Sequence, residues 1–349
     1  MLSVGIDAHH QLYAMCILDD NGKLVKERTI EGSAQNVASW LKRLKEPFEV
    51  CYEASLGYGV LHDELTPIAH RVRVAHPAHV RAIFNSKRKN DRIDARKLAK
   101  CLYMDEVPEV HVPKHEVREW RVLIEHRRRM VDKRVATKNG LRAILRGQGI
   151  ASPRGRTLWS SKGMQWVKGV QFKSPLTTLR CNQLVAEILH FDAVIKEVEK
   201  LLNAIAQRQP GVALLRTIPG IGPRTAEAIV AYVDDPQRFS STRKAASYFG
   251  LVPCLDESAG VSRYGRITRQ GPATVRKLVA EASWRAVVCS PTIRRFFDRI
   301  KGEKKERTGK ALVATARHLV KVMVAMLKSG EEWRESPPEE AQRQKILAG

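Results

Sequence analysis

Between Leu2 and Ala75 the sequence sets out a series of short apolar runs, and their order restricts the fold more than any other feature. Leu2 to Ile6, Leu12 to Leu18 and Leu24 to Ile30 follow one another with only polar turns between them, the second turn being Asp20-Asn21-Gly22. Asn-Gly tolerates the positive φ angles of a tight hairpin turn, so the three runs predict an antiparallel meander. A helical stretch at Val37 to Leu44 follows, then a strand at Phe48 to Glu53, a helix at Tyr58 to Ala69 and a strand at Arg71 to Ala75 bounded by Pro77. A meander followed by strand and helix alternation predicts an α/β layer fold on a mixed sheet. Beyond Asp91 the pattern turns mostly helical, so the class is α/β plus α.

The long segment Glu116 to Leu145 carries Arg127, Arg128, Arg129, Lys133, Arg134, Lys138 and Arg142, with Arg146 just beyond, and reads as a basic helix that tracks a phosphate backbone. Residues 147–180 mix Gly, Ser, Pro, Lys and Trp without a period and read as a poorly packed connector. Trp159 and Trp166 within it suit stacking on unpaired bases or anchoring to a core. Leu184, Ile188, Phe191, Ile195, Val198, Leu202 and Ile205 then recur at helical spacing. That spacing fits a helical hairpin or coiled-coil surface, and equally an ordinary core helix. Further on, Thr217 to Arg224 precedes a helix at Thr225 to Val233, where Gly220 and Gly222 let the backbone approach a phosphate beside the helix N-terminus. No fixed-period repeat occurs. The expected organisation is an α/β domain over 1–105, a basic helical linker over 106–210, a mainly helical domain over 211–330 and a disordered tail over 331–349.

Composition enters through charge. The 349 residues hold 61 Lys and Arg against 37 Asp and Glu, a formal net charge of +24. Such an excess repels itself unless a polyanion neutralises it, and nucleic acid is the obvious candidate; the bland reading is a basic surface kept for solubility. Neutralising about eight phosphates would give a log K against log salt slope of about -7. The six cysteines lie far apart without a CxxC pair, which indicates neither a zinc ribbon nor a disulfide framework and fits a reducing cytoplasm. Neither a signal peptide nor a membrane span is expected: the first residues enter a strand pattern directly, and Arg317, His318 and Lys321 break the most apolar C-terminal stretch.

Four acids stand out from this basic background. Asp7 and Glu53 end strands, and Asp91 and Asp94 sit three apart at a helix start, on one face. Taken singly, Asp91 and Asp94 read as acids favoured by the helix dipole, and Asp7 and Glu53 as turn-facing polar residues. Taken together they interrupt the apolar pattern at one end of the sheet, with Lys87-Arg88-Lys89 alongside. Each pair of like charges at about 4 Å would cost on the order of 4 kcal/mol at an effective dielectric near 20, so convergence calls for a cation. Mg2+ prefers oxygen ligands, and two ions about 4 Å apart serve phosphodiester chemistry. His9 and His10 could assist, although histidines after a strand are more often solvent-facing.

These residues carry a resemblance. Gly5-Ile6-Asp7, Tyr52-Glu53-Ala54 and Lys89-Asn90-Asp91-Arg92-Ile93-Asp94-Ala95 resemble the DEDD catalytic set of the insertion-sequence transposases that work with a bridge RNA, insertion sequence family 110. In the second half, Ile218-Pro219-Gly220-Ile221-Gly222, Tyr248-Phe249-Gly250-Leu251-Val252-Pro253 and Gly265-Arg266-Ile267-Thr268-Arg269-Gln270-Gly271 are similar to that family's C-terminal transposase domain. Ile-Pro-Gly-Ile-Gly alone also occurs in helix-hairpin-helix repair proteins; the specificity lies in order and spacing. The resemblance implies an RNase H or RuvC-like N-terminal domain whose four acids bind Mg2+, and a serine nucleophile between the Gly-Leu-Val-Pro and Gly-Arg-Ile-Thr elements. Ser258 is the best match, with Ser-Ala-Gly where the family usually shows Ser-Ser-Gly or Ser-Gly, and Ser262 is the reserve. It further implies donor and target DNA, a structured guide RNA from the element, a dimer or tetramer, and a cytoplasmic, nucleoid-associated enzyme.

A serine hydroxyl is a weak nucleophile that needs a base, a metal or charge stabilisation, and Arg263, Arg266 and Arg269 lie close enough in sequence to supply charge. Without the resemblance, a loop serine beside glycine is ordinary turn chemistry. Arg317, Lys321 and Lys328 are further candidates for backbone phosphate contact. Two rival functions use the same residues: a structure-specific nuclease of the Holliday-junction type, with water as nucleophile, and a non-catalytic nucleic-acid scaffold.

Overall fold

The computed structural model describes residues 1–55, 57–83, 90–151, 158–258 and 261–336, and gives the main chain alone at Ala82, Asp256, Ser258, Val261 and Ser262. The chain divides into two compact units, Met1–Glu116 and Val117–Gly349.

In the first unit, β1 (Leu2–Ala8), β2 (Leu12–Leu18) and β3 (Leu24–Glu31) form the expected meander, and α1 (Ala34–Leu41), β4 (Phe48–Glu53), α2 (Tyr58–Leu65) and β5 (Arg71–Ala75) follow. The sheet order is β3-β2-β1-β4-β5, with β1–β2 and β2–β3 antiparallel and β1–β4 and β4–β5 parallel. Alternation along the strands assigns each side chain to a face. Val4, Ile6, Met15, Ile17, Val50 and Tyr52 form one core with Val37 and Leu41 of α1 and with Leu61 and Leu65 of α2. The opposite face carries smaller residues, including Ala14 and Cys16, against Ala95 and Ala99. After α3 (Pro77–Ile83), α4 (Asp91–Tyr103) lies on that face. The approach is so close that a Cβ on Gly5 would sit 2.1 Å from the carbonyl oxygen of Ala95 and 2.3 Å from the amide nitrogen of Ala99. Gly5 therefore sets how near α4 comes to β1, and with it the position of the acids at the start of α4.

The second unit is built around α5 (His115–Gly147), α6 (Ser161–Gly169) and α7 (Pro175–Gln207). Arg127 pairs with Glu199, Arg134 with Asp192, and Thr137 with Glu187, so α5 and α7 run antiparallel as a hairpin. The expectation of a poorly packed connector over 147–180 is corrected for the described residues from Leu158 onward. Leu158 and Val167 are buried with Leu141, Leu145, Cys181, Val185 and Ile188, and Trp159 and Trp166 pack against the same cluster. Lys138 and Arg142 each lie 5.0 Å from the Trp159 ring centre, which makes that indole an anchor for two cations.

The remaining elements are α8 (Pro210–Leu215), α9 (Pro223–Val233), α10 (Thr242–Tyr248), the antiparallel hairpin β6 (Pro253–Ser258) and β7 (Val261–Ile267), α11 (Ala273–Cys289), α12 (Pro291–Lys301) and α13 (Thr308–Ser329). Leu319, Val320, Met323 and Val324 of α13 are fully buried at the centre of this core. The expected disordered tail is corrected over its first residues. The Trp333 amide donates to Thr217 Oγ1 at 3.1 Å, the Glu335 carboxylate accepts from the Thr292 amide at 3.0 Å, and the Trp333 ring packs on the core. Residues 337–349 lie outside the described residues. Among the described residues no helix is long and apolar enough to cross a membrane.

Candidate active site

Parallel pairing of Ile6 with Tyr52 places Asp7 and Glu53, the next residues along β1 and β4, at the same carboxyl end of the sheet. The third and fourth acids arrive on α4. Asn90 caps that helix by accepting from the Arg92 amide at 3.0 Å, which fixes Asp91 and Asp94 in its first turn. The capped end of α4 thus carries both acids toward the strand ends. Close packing of α4 on Gly5 brings it near Asp7.

The electrostatics record the convergence. Burial pushes the Asp7 carboxyl above its ordinary value, His9 opposes the shift, and the negative charges of Asp91 and Asp94 add to it. Glu53 is raised by burial and then by Asp7 and Asp94, with Arg81 and Lys97 acting in the opposite direction. Lys97 Nζ donates to Asp94 Oδ1 at 2.7 Å. His9, which follows Asp7 by two residues, stands at the mouth of the cluster: its Nε2 is 3.4 Å from Asp7 Oδ2 and 3.6 Å from Asp91 Oδ1. Ligand atoms of Asp7, His9 and Asp91 all lie within 4.8 Å of one another. Carboxylates held at this spacing at a partly buried sheet edge fit a divalent cation, since oxygen donors suit such ions and a cation relieves the mutual repulsion.

The other anticipated residues divide between open and occupied. Arg263 and Arg266 on β7 and Arg269 beyond it are exposed. The main chain of Ser258 ends β6 and pairs with Val261, so the serine terminates a strand where a loop was expected. The side chains of Ser258 and Ser262, and all of Lys87, Arg88 and Lys89, lie outside the described residues. Arg129 is exposed. By contrast, Arg127 is held by Glu199 at 2.5 Å, and Arg128 by Asp132 at 3.1 Å. Arg224 lies 3.0 Å from the fully buried carboxylate of Glu227, which burial pushes up to about 7, and also donates to Asn203. Gly220, at φ 90°, makes its close approach to a protein backbone: a Cβ there would lie 2.6 Å from the Ala286 amide nitrogen. Gly222 faces open space as the N-cap of α9. Lys328 Nζ donates to the Phe239 carbonyl at 2.6 Å, which engages a cation anticipated for phosphate.

Sequence reasoning passed over two side chains that shape these regions, and it left a third, His9, open between assisting the metal site and facing solvent, because its proximity to Asp91 exists only after folding. Lys97 falls one turn after Asp94, a spacing that could have revealed it. Arg276, on α11, donates to the carbonyls of Phe249 at 3.3 Å and Gly271 at 3.0 Å, tying together the two glycine-containing turns of the Tyr-Phe-Gly and Gln-Gly elements.

Comparison with known families decides the identity. A DEDD-type IS110 family model described as "Transposase" matches residues 4–149, and one described as "Transposase IS116/IS110/IS902 family" matches residues 212–298. The chain belongs to the IS110 family of DEDD transposases. The two matched segments of this transposase are separate, one at each side of residues 150–211. Its first matched segment contains Asp7, Glu53, Asp91 and Asp94, and its second contains Ser258. Among its relatives are the transposase of insertion sequence element IS1111A from Coxiella burnetii, 26% identical over 79% of this chain and 75% of the relative, and a probable family 20 transposase from Pseudomonas aeruginosa, 26% identical over 82% and 84%. A pilin gene-inverting protein of Moraxella lacunata is 28% identical over 38% of this chain and 41% of the relative. The enzyme is thus a DNA transposase with a candidate divalent-metal cluster at the end of its N-terminal sheet.

Proposed function

We propose that this transposase is an RNA-guided recombinase that cleaves and exchanges DNA strands through a serine–DNA intermediate. The observation that supports this most is the meeting of Asp7, Glu53, Asp91 and Asp94 at one sheet edge, in a chain whose two halves match the DEDD and C-terminal transposase families in order. The sheet order β3-β2-β1-β4-β5, with its antiparallel meander and parallel second half, accords with an RNase H or RuvC-like domain. The four acids hold Mg2+, two ions in the working site, and when bound these supply charge stabilisation to the attacking and leaving oxygens.

The chain's own residues do the rest. The Ser258 oxygen forms a bond to phosphorus, its proton passes to a base or water, and the bond from phosphorus to the sugar oxygen breaks, releasing that oxygen as a hydroxyl. The resulting ester conserves the phosphodiester linkage, so a sugar hydroxyl of another strand reverses the step without further energy input. Arg263, Arg266 and Arg269 offset the charge that builds on the non-bridging oxygens. Exposed Arg129, Lys87 to Lys89 and the open N-terminus of α9 at Gly222 contact backbone phosphate. Donor and target DNA, a structured guide RNA and a homodimer or tetramer complete the assembly, in the cytoplasm at the nucleoid. Base pairing by the guide then sets the target, and the protein reads shape and charge.

The reading is tested by strand transfer between donor and target DNA, with RNA transcribed from the element's flanks and with Mg2+, omitting each in turn. Transfer that needs both is expected. Full transfer without RNA would overturn guidance, and full transfer in chelator would overturn the metal role.

A further inference from the structure

We infer that His9 is a nitrogen ligand of the metal site and biases it toward Mn2+ over Mg2+. The inference rests on reading the acid cluster as a metal site and adds to it a donor outside the four acids.

The geometry carries it. The main chain places His9 firmly: its amide donates to the Leu12 carbonyl at 2.9 Å as the β1–β2 turn closes, and the Gly32 amide donates to Gln11 in the same turn at 3.0 Å. From there Nε2 faces two carboxylates from separate elements, Asp7 of β1 and Asp91 of α4. At 3.4 Å and 3.6 Å the nitrogen lies outside the roughly 2.7–3.2 Å of a good N–H···O hydrogen bond. Those separations suit donors that share one ion instead. With bonds of about 2.1–2.2 Å, neighbouring ligand atoms around a cation stand about 3.0–3.6 Å apart. The ring is about half exposed, which leaves room for water or a phosphate oxygen in the remaining positions.

The donor chemistry gives the preference. Mg2+ binds through hard oxygen ligands and gains little from imidazole, whereas first-row transition ions accept a mixed nitrogen and oxygen set. Adding one imidazole to carboxylates should therefore move the order of affinities toward Mn2+ without excluding Mg2+. His10, next in the chain and exposed, is not part of the cluster and serves as an internal control.

The test measures Mn2+ and Mg2+ binding to the full-length protein by titration calorimetry, with pulsed electron paramagnetic resonance of bound Mn2+ to detect coupling to a ligand 14N nucleus. Wild type, His9→Ala, His10→Ala and Asp7→Asn are compared, and circular dichroism confirms that each is folded. The expected result is a 14N coupling in wild type and His10→Ala that vanishes in His9→Ala, together with about a tenfold loss of Mn2+ affinity and a smaller loss for Mg2+. Mn2+ bound without 14N coupling, at unchanged affinity in His9→Ala and lost in Asp7→Asn, would overturn the His9 inference while leaving the metal site intact. Equal or absent Mn2+ binding in wild type and Asp7→Asn would overturn both.

Discussion

Replacing Asp7 with Asn is expected to abolish strand exchange, by at least about a thousandfold, on the scale of about 4 kcal/mol of transition-state stabilisation. The same substitution is expected to raise the midpoint of thermal unfolding near neutral pH when no divalent ion is present. Both effects have one cause. Asp7 is partly buried beside Asp91 and Asp94, so its charge is useful only when a cation shares the site. Asn has nearly the same shape and no charge. Because Asp7 and Glu53 both sit above their ordinary values, the native protein binds more protons than the unfolded chain in the pH range between. Their contribution to stability is present below the ordinary carboxylate range and is lost as pH rises through the raised values. The gain from Asp7→Asn should therefore be larger at pH 8 than at pH 4. Calorimetric melting of the two proteins across that range, with a parallel transposition assay, checks the sign; an active variant, or one destabilised at high pH, would contradict it.

Gly5→Val is expected to prevent the first unit from folding, and Gly5→Ala to cost at least about 3 kcal/mol. Overpacking is usually relieved when a flexible side chain gives way. Here a new Cβ meets the backbone of α4, at Ala95 O and Ala99 N, so only movement of the whole helix can make room. Such movement carries Asp91 and Asp94 away from Asp7. Gly5→Ala should consequently lose divalent-ion binding even under conditions where it still folds, whereas a core change on the opposite face such as Val37→Ala should lower stability and leave ion binding in place. Denaturant unfolding and metal titration distinguish the two. Near-native stability in Gly5→Ala would show that the α4–β1 distance is not set as described.

The first unit was legible because its information is local. Alternation between Leu2 and Ile30, the Asn21-Gly22 turn and the apolar run into Glu53 each fix an element and the direction of its side chains, and the order of elements leaves few sheets to choose from. The acids could be read for the same reason: each falls at the end of a periodic segment. The choice between His9 as assistant and His9 as solvent-facing residue could not be read, since its proximity to Asp91 depends on α4 folding back over β1. In the second unit the β6–β7 hairpin escaped notice because its strands lack an apolar face; Leu255 and its partner Tyr264 are both exposed. The Trp-rich stretch after Gly147 has no period to announce its packing, because its burial comes from filling the open end of the α5–α7 hairpin. Charge density along α5 likewise overstated the free cations, for Arg127 and Arg134 find acids on α7. What decided these cases was long-range contact, which spacing alone does not encode.

The central claim, that the acid cluster and Ser258 serve one reaction, is tested most directly by trapping and mapping the covalent intermediate. Protein, guide RNA, Mg2+ and donor and target DNA are quenched in denaturant, and any protein–DNA adduct is digested and located by mass spectrometry in wild type, Asp94→Ala and Ser258→Ala. The account predicts a nucleotide attached at Ser258 in wild type and no adduct or exchange in either variant. An adduct at Ser262 or another residue, or cleavage by Ser258→Ala with no adduct at all, would contradict it and leave a nuclease that uses water.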